Sequence, residues 1–512
     1  MIRQRQKHRR GSDLARRVHR GALIVIGAFL FLTPPLSRLH DDFARAQSPS
    51  KPGFNDQEVF RQGQTKLDIQ GADSCKACHA SISGKGLSQW DDWFKGGKGV
   101  HARTYLETLS ENPRSKRMAL ILSRYDSLGD DPTQREDCLG CHSYGNDVLR
   151  QEESRRAVMN DGVGCESCHG RAGQWEAVHD KEDWRTATAG EKRDKGMYDT
   201  RDVERWAEKC LECHLGIGNR RVSHRLMGAG HPDMSFELAT DSSRVPKHWD
   251  WSRLHLTSGE GSWCFVRLWA VGQVVELRET MRRLQQLSAG TPDFAYFDCY
   301  ACHHKFLETP SRAPGGRRRV QSLGEPTWGE TTCVTSRQIF SVAWPEGRAA
   351  FDQAVEMMRS SLRLHDTDWA GVSQAAEQLE TLADQLTQRI KNRPFDKRAT
   401  ARMLIGITAD AEYTLGLGPM AADHAYRAIR VLYEAAWPVE EKPEDDTQIV
   451  NAIKRLRELI YPEYREDMSY KVRFTPILQR FDPDAFRGAM RDLNRYFSAA
   501  SEPADAPSEG TR

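Results

Sequence analysis

Gly162-Val163-Gly164-Cys165-Glu166-Ser167-Cys168-His169-Gly170 encloses a C-x-x-C-H motif between glycines. The same pattern occurs four more times: Cys75-Lys76-Ala77-Cys78-His79, Cys138-Leu139-Gly140-Cys141-His142, Cys210-Leu211-Glu212-Cys213-His214 and Cys299-Tyr300-Ala301-Cys302-His303. The first cysteines are 63, 27, 45 and 89 residues apart. Such uneven intervals do not fit a solenoid of equal repeats. The motifs take ten of the 12 cysteines, leaving Cys264 and Cys333.

Five C-x-x-C-H motifs predict five covalently bound c-type haems. Cysteines at i and i+3 lie on one helical turn, so both sulfurs can add to the vinyl groups of one macrocycle. The histidine that follows then lies under the iron as proximal ligand. The cofactor-binding residues are thus Cys75, Cys78, Cys138, Cys141, Cys165, Cys168, Cys210, Cys213, Cys299 and Cys302. The proximal metal ligands are His79, His142, His169, His214 and His303. Zinc ribbons and disulfide frameworks use paired cysteines too, but neither requires a histidine directly after each second cysteine. The sixth ligand sets function: a bis-histidine iron moves electrons, and an open iron can bind a substrate. His101, His179, His224, His231, His248, His255 and His304 are the further histidines of this region. Met227 and Met234 are methionine alternatives. His304 adjoins a proximal histidine and cannot reach the same iron, while His365 and His424 fall on C-terminal helices as surface or core residues. Cys264 and Cys333 could pair in an oxidising compartment, or Cys264 could be buried within its apolar run, Trp263 to Val275.

The chain has 512 residues, 38% hydrophobic and 29% charged. That apolar supply is lean for two or three domains, and large apolar macrocycles would supplement it. The net charge of +2 hides an asymmetry: residues 1–46 hold ten basic and three acidic residues, leaving 64 basic against 69 acidic in the remainder. An acidic mature chain excludes nucleic acid as a partner. Met1 to Arg20 carries eight Lys/Arg, Gly21 to Leu36 is a 16-residue apolar run, and Ala44-Arg45-Ala46 is a small-residue site. This is the order of a secretory signal, and the run is short against the roughly 20 residues of a membrane span. The expectation is a periplasmic or otherwise exported protein; an uncleaved N-terminal membrane anchor is the alternative.

The predicted fold class is mainly α, a multihaem cytochrome c domain of short helices and long loops followed by a C-terminal helical bundle. The expected organisation is a signal peptide at 1–46, a flexible leader at 47–72, a pentahaem domain at 73–340, a helical domain at 346–500 and a disordered tail at 501–512. Arg117 to Tyr125 and Arg201 to Leu211 read as short helices. Helical spacing joins Phe351, Val355, Met358 and Leu362, then Val372, Leu379, Leu386 and Ile390. Ala401–Leu415 and Ala421–Trp437 read as helices separated by Gly416-Leu417-Gly418-Pro419, with further helices near 447–460 and 483–497.

From about Asp73 to Leu215 the chain resembles the tetrahaem cytochrome c-554 family. The resemblance rests on Asp73-Ser74-Cys75 through His79, Trp90, His101-Ala102, Asp137-Cys138 through His142, the stretch 162–170, His179, and Lys209-Cys210 through His214. It implies that His101 ligates another motif's haem and that His179 returns to an earlier one. It also implies an open, five-coordinate iron at His142 and an electron carrier fed by an oxidoreductase. The fifth motif and the long helical region depart from the family. Beyond Leu215, Gly228-Ala229-Gly230-His231-Pro232 and His248-Trp249 resemble looser multihaem cytochromes, which makes His231 and His248 expected ligands of the fourth and fifth haems, with His224 in reserve.

The expected function is electron carriage between redox protein partners, with the helical region as a candidate docking site for an oxidoreductase. The alternative is an oxidoreductase acting on a small nitrogen or sulfur species at one open iron; no catalytic motif decides whether the chain is an enzyme. Intact mass of correctly matured protein is expected to exceed that of the polypeptide by five haems, and fewer would overturn the count.

Overall fold

In a computed structural model, residues 69–84, 87–95, 100–109, 121, 135–144, 158–217, 220, 222–232, 234–249, 263–287, 292–299, 328–438, 446–461 and 481–501 are described. The signal, most of the leader, the tail and most of 117–125 lie outside them, as do Cys302, His303, His304 and His255. The described residues are helical with no strand, apart from one isolated bridge between Phe297 and Trp328. None of their helices is long and apolar enough to cross a membrane.

Short helices carry and flank the first four motifs. They are α1 (Ala72–His79), α2 (Gln89–Phe94), α3 (Glu136–His142), α4 (Cys165–His169), α5 (Glu182–Thr186), α6 (Ala189–Asp194) and α7 (Val203–Leu211). Connections follow through α8 (His224–Ala229) and α9 (Leu238–Ser242). The long α10 (Trp263–Gln285) comes next, then α11 (Cys333–Ala343), α12 (Arg348–Ser361), α13 (Trp369–Ile390), α14 (Lys397–Ala409) and α15 (Ala411–Gly416). The chain ends in α16 (Pro419–Ala436), α17 (Asp446–Ile460) and α18 (Pro483–Ser501).

Local chemistry sets several of these boundaries. Asp202, Asp368 and Asp396 each accept a first-turn amide hydrogen as N-caps of α7, α13 and α14. Gly418 has φ +86°, and Pro419 then opens α16 with the fixed φ that a first helical turn needs. The stripe Phe351, Val355 and Met358 is buried on α12, and Val372, Leu379, Leu386 and Ile390 are buried on α13. Each stripe covers one face at a spacing near 3.6 residues.

One hydrophobic core runs from Val203 on α7 through α10 to Phe497 on α18. It does not stop between 340 and 346. α10 is its axis, flanked by α7, α9, α13 and α16. Its first half is mostly apolar, with Arg267 and Gln273 buried among the hydrophobic residues, as befits a helix surrounded by protein. Its second half is charged and still buried. Arg278 is 1% exposed and meets Glu204 at 2.5 Å, Glu208 at 2.5 Å, Asp384 at 2.8 Å and Glu279 at 3.1 Å. These partners lie on α7, α13 and α10 itself, so the helix leading into the fourth motif is ion-paired into the C-terminal bundle.

Arg278→Ala is expected to cost about 3–5 kcal/mol, because Glu208 then remains buried without its counter-charge and Glu279 keeps only Arg282. Denaturant unfolding of wild type and variant measures this; a loss under about 1 kcal/mol contradicts it.

Candidate haem-binding site

The stretch 162–170 is built into its surroundings at both glycines. Gly162 has φ +59°, and a Cβ there would meet the carbonyl oxygen of His101 at 2.7 Å. That close approach lets the Val163 N–H donate to the His101 carbonyl at 2.9 Å, while Trp93 Nε1–H donates to the Val163 carbonyl at 3.1 Å. Gly170 has φ +82° with ψ +169°, a region open only to glycine. A Cβ there would fall 2.1 Å from the Gly196 carbonyl oxygen, beside the Tyr198 N–H that donates to His169 at 2.8 Å.

Glu166, inside the motif, is 4% exposed and turns its carboxylate to the segment before α1. It accepts the amides of Gln70 at 3.2 Å, Gly71 at 2.8 Å and Ala172 at 2.7 Å. Asp161 accepts the Ala72 amide at 2.8 Å. Two carboxylates just before and inside the third motif thus hold the start of the first. Burial pushes the Asp161 carboxyl up to about 6 and raises Glu166, which the amide hydrogen bonds oppose in both.

Four imidazole pairs face one another. His79 and His179 have ring centroids 6.0 Å apart, His101 and His214 6.0 Å, His169 and His248 6.3 Å, and His142 and His231 6.5 Å. The first pair is near parallel at 18°, and the others are near perpendicular at 86–88°. Two metal–nitrogen bonds of about 2.0–2.1 Å on opposite sides of one metal, with half of each ring added, span about 6 Å. Among the described residues no three His, Cys, Asp or Glu side chains converge as a ligand cluster. Two opposed imidazoles are what a metal already holding four equatorial nitrogens requires.

Hydrogen bonds select the tautomer. Nδ1 of His179 faces the Glu176 carbonyl at 2.5 Å, that of His231 the Pro232 carbonyl at 2.8 Å, and that of His248 the Pro246 carbonyl at 2.9 Å. Nδ1 of His79 faces Gln89 Oε1 at 3.3 Å. An oxygen acceptor puts the proton on Nδ1 and leaves the Nε2 lone pair for a metal. Burial, and next the facing ring of its pair, lowers His101, His142 and His169 to about 4. Burial also lowers His214 and His248. These rings are therefore neutral at pH 7, the ligating form.

The arrangement corrects two expectations. His231 stands opposite His142, and His248 opposite His169, rather than serving the fourth and fifth motifs. A second imidazole thus faces His142 across a gap of 6.5 Å between ring centroids, where the resemblance implied an open face. No spacing rule could have found this, because a distal histidine comes from anywhere in the chain. His224 lies beside the fifth motif's approach: its amide donates to Asp293 Oδ1 at 3.0 Å and its ring contacts Phe294 at 5.3 Å, five residues before Cys299. Cys264 and Cys333 are buried and no disulfide joins them. His424 is buried on α16 and His365 is exposed.

The motifs also touch one another. Cys75 of the first lies close enough to Cys165 of the third for the two side chains to interact, and so does Cys141 of the second to Cys213 of the fourth. Cys168 of the third is close enough to Cys213 and Cys210 of the fourth for their charges to interact. Buried polar atoms without protein partners gather here: Trp90 Nε1, Ser143 Oγ, Ser167 Oγ and Trp175 Nε1. Such atoms need a partner, and haem carboxylates are of the right chemistry.

Residues 74–170 match the family model described as cytochrome c554 and c-prime. This segment is cytochrome c-554-like. Cytochrome c-554 of Nitrosomonas europaea is 29% identical over 150 residues, which cover 29% of this chain and 57% of the relative. The chain thus spans little more than half the length of the curated relative it matches. No solved structure matches. The likeness of this segment is to a c-type cytochrome. The family-model match ends at Gly170, before the fourth and fifth motifs and the helical bundle.

Gly170→Ala is expected to destabilise the protein by at least the roughly 1–3 kcal/mol of a forced backbone conformation, with the clash at Gly196 in addition. Thermal unfolding of the holoprotein reads this; an unchanged midpoint refutes it.

Proposed function

We propose that the chain is an exported pentahaem c-type cytochrome that carries electrons between redox protein partners. The four opposed imidazole pairs carry this reading, because a six-coordinate iron has no room for substrate. When bound, the haems supply one-electron chemistry, with potentials set by axial ligands, burial and nearby charge.

The residues of this chain have the remaining roles. Cys75, Cys78, Cys138, Cys141, Cys165, Cys168, Cys210, Cys213, Cys299 and Cys302 form the thioethers. His79, His142, His169, His214 and His303 are proximal ligands. His179, His231, His248 and His101 are distal to the first, second, third and fourth motifs respectively. His224 serves the fifth, on the strength of its place beside Asp293 and Phe294. Sulfur contacts between motifs one and three, and between two and four, bring the attachment points close, as short-range electron transfer needs. Haem c is attached outside the cytoplasm, so the basic-then-apolar N-terminus is read as its export signal. The His231 ring opposite His142 weighs against the enzyme reading at that iron.

Electron paramagnetic resonance of the oxidised holoprotein is expected to be dominated by low-spin iron. His231→Ala is expected to convert one iron to a high-spin form that binds cyanide. A wild-type iron at the second motif that already binds cyanide, unchanged in His231→Ala, would sink this reading and restore the enzyme.

A further inference from the structure

α10 carries a second buried acid, away from the Arg278 network. Glu276 is 8% exposed, and among the described residues its carboxylate makes no hydrogen bond or ion pair. Its neighbours are charged. α9 and α16 both pack on α10, with Leu238 against Gly272 one turn before Glu276, and the charges of Glu237, Asp241 and Arg427 act on Glu276. Arg427 is already committed, with Nε 3.0 Å from Asp423 and Nη1 3.6 Å from Asp241. Asp423 also accepts from the Tyr461 hydroxyl. Glu237 is satisfied by the amides of Ala239 at 2.7 Å and Thr240 at 2.8 Å, and Asp241 by the Glu237 amide at 3.0 Å and by Arg244. Arg430 reaches Thr240, and His424 is buried and neutral. On the other flanks of α10, Glu204 and Glu208 of α7 and Glu380 and Asp384 of α13 are engaged by Arg278 and Arg282. Toward α11, Gln273 meets the uncharged Thr335.

Glu276 is thus the one carboxyl of the cluster with no dedicated partner, set among negative neighbours. Burial, and next Glu237, pushes it up to about 8, so it exchanges its proton near neutral pH.

The same cluster adjoins the fourth haem position. Phe236, next to Glu237, stacks on the His214 ring at 4.6 Å. The charge of Asp241 acts on His214, His101 and Cys210 as well as on Glu276.

We propose that Glu276 is a proton-binding site coupled to the redox state of the haem held by His101 and His214. When an electron from a redox partner reaches that iron, Glu276 takes one proton from solvent; when the electron leaves, Glu276 releases it. The electron adds one negative charge, the proton cancels it, and no bond other than O–H forms or breaks. The inference rests on the haem reading above. The sign follows from linkage: an added negative charge favours the protonated carboxyl, so this haem's potential falls as pH rises through the titration of Glu276.

Redox titration of the full-length holoprotein from pH 6 to 9.5 tests it, with wild type, Glu276→Gln and Glu276→Asp. In wild type one haem component is expected to lose potential with rising pH around 8. Glu276→Gln is expected to flatten that component, and Glu276→Asp to keep a slope at shifted pH. Infrared difference spectra between redox states should show a protonated-carboxyl band that moves in heavy water and disappears in Glu276→Gln. An equal slope and band in Glu276→Gln overturn the proposal. Haem content and low-spin signals on the same samples separate this outcome from failure of the haem reading itself, which would show as missing haem.

Discussion

The Glu166 carboxylate is the contact on which the haem-bearing half depends. It is buried between the two cysteines of the third motif and accepts main-chain amides from residues 70, 71 and 172. A buried charge is tolerated only when hydrogen bonds replace its hydration, and here three amides do so. Each is also an amide that a loop would otherwise leave unsatisfied. With Asp161 capping the start of α1, the first motif is fixed to the third by main-chain bonds rather than by packing. That suits a region whose own apolar clusters are small: Tyr105, Leu139 and Met159 form one, and Ala172, Trp175 and Trp184 another.

The fourth motif is held differently. α7 leads into it and packs on α10, the axis of a core that continues through the C-terminal helices. Apolar burial on one side of α10 and the Arg278 ion network on the other make the bundle part of the motif's support. The C-terminal helices, absent from the c-554-like match, therefore act on the haem region from within. The Glu276 cluster lies along the same junction, where acids of α9, α10 and α16 gather near the His101–His214 pair.

Much of this was legible in the sequence. The C-terminal helices fall close to the spans that their apolar stripes give, such as Phe351 to Met358 within α12 and Val372 to Ile390 within α13. An amphipathic helix writes its buried face at a fixed interval. α10 was visible only as an apolar run from Trp263 to Val275, because a helix buried on every side has no stripe. Its second half continues no apolar run, and only the partners of Arg278 and Arg282 on α7 and α13 explain the burial of so much charge. α11 left no comparable signal.

The sequence by itself determined the chemistry of attachment, because two cysteines and a histidine on one helical turn are a local arrangement. It also marked the stretch 162–170 as special, through glycines whose positive φ and close contacts the fold then explains. Only the tertiary structure decided which histidine stands opposite which. His231, expected at the fourth or fifth motif, faces His142, and His248 faces His169. A proximal ligand is fixed by covalent neighbours, and so it is written as spacing. A distal ligand is fixed by where the folded chain returns, and no interval in the sequence records that.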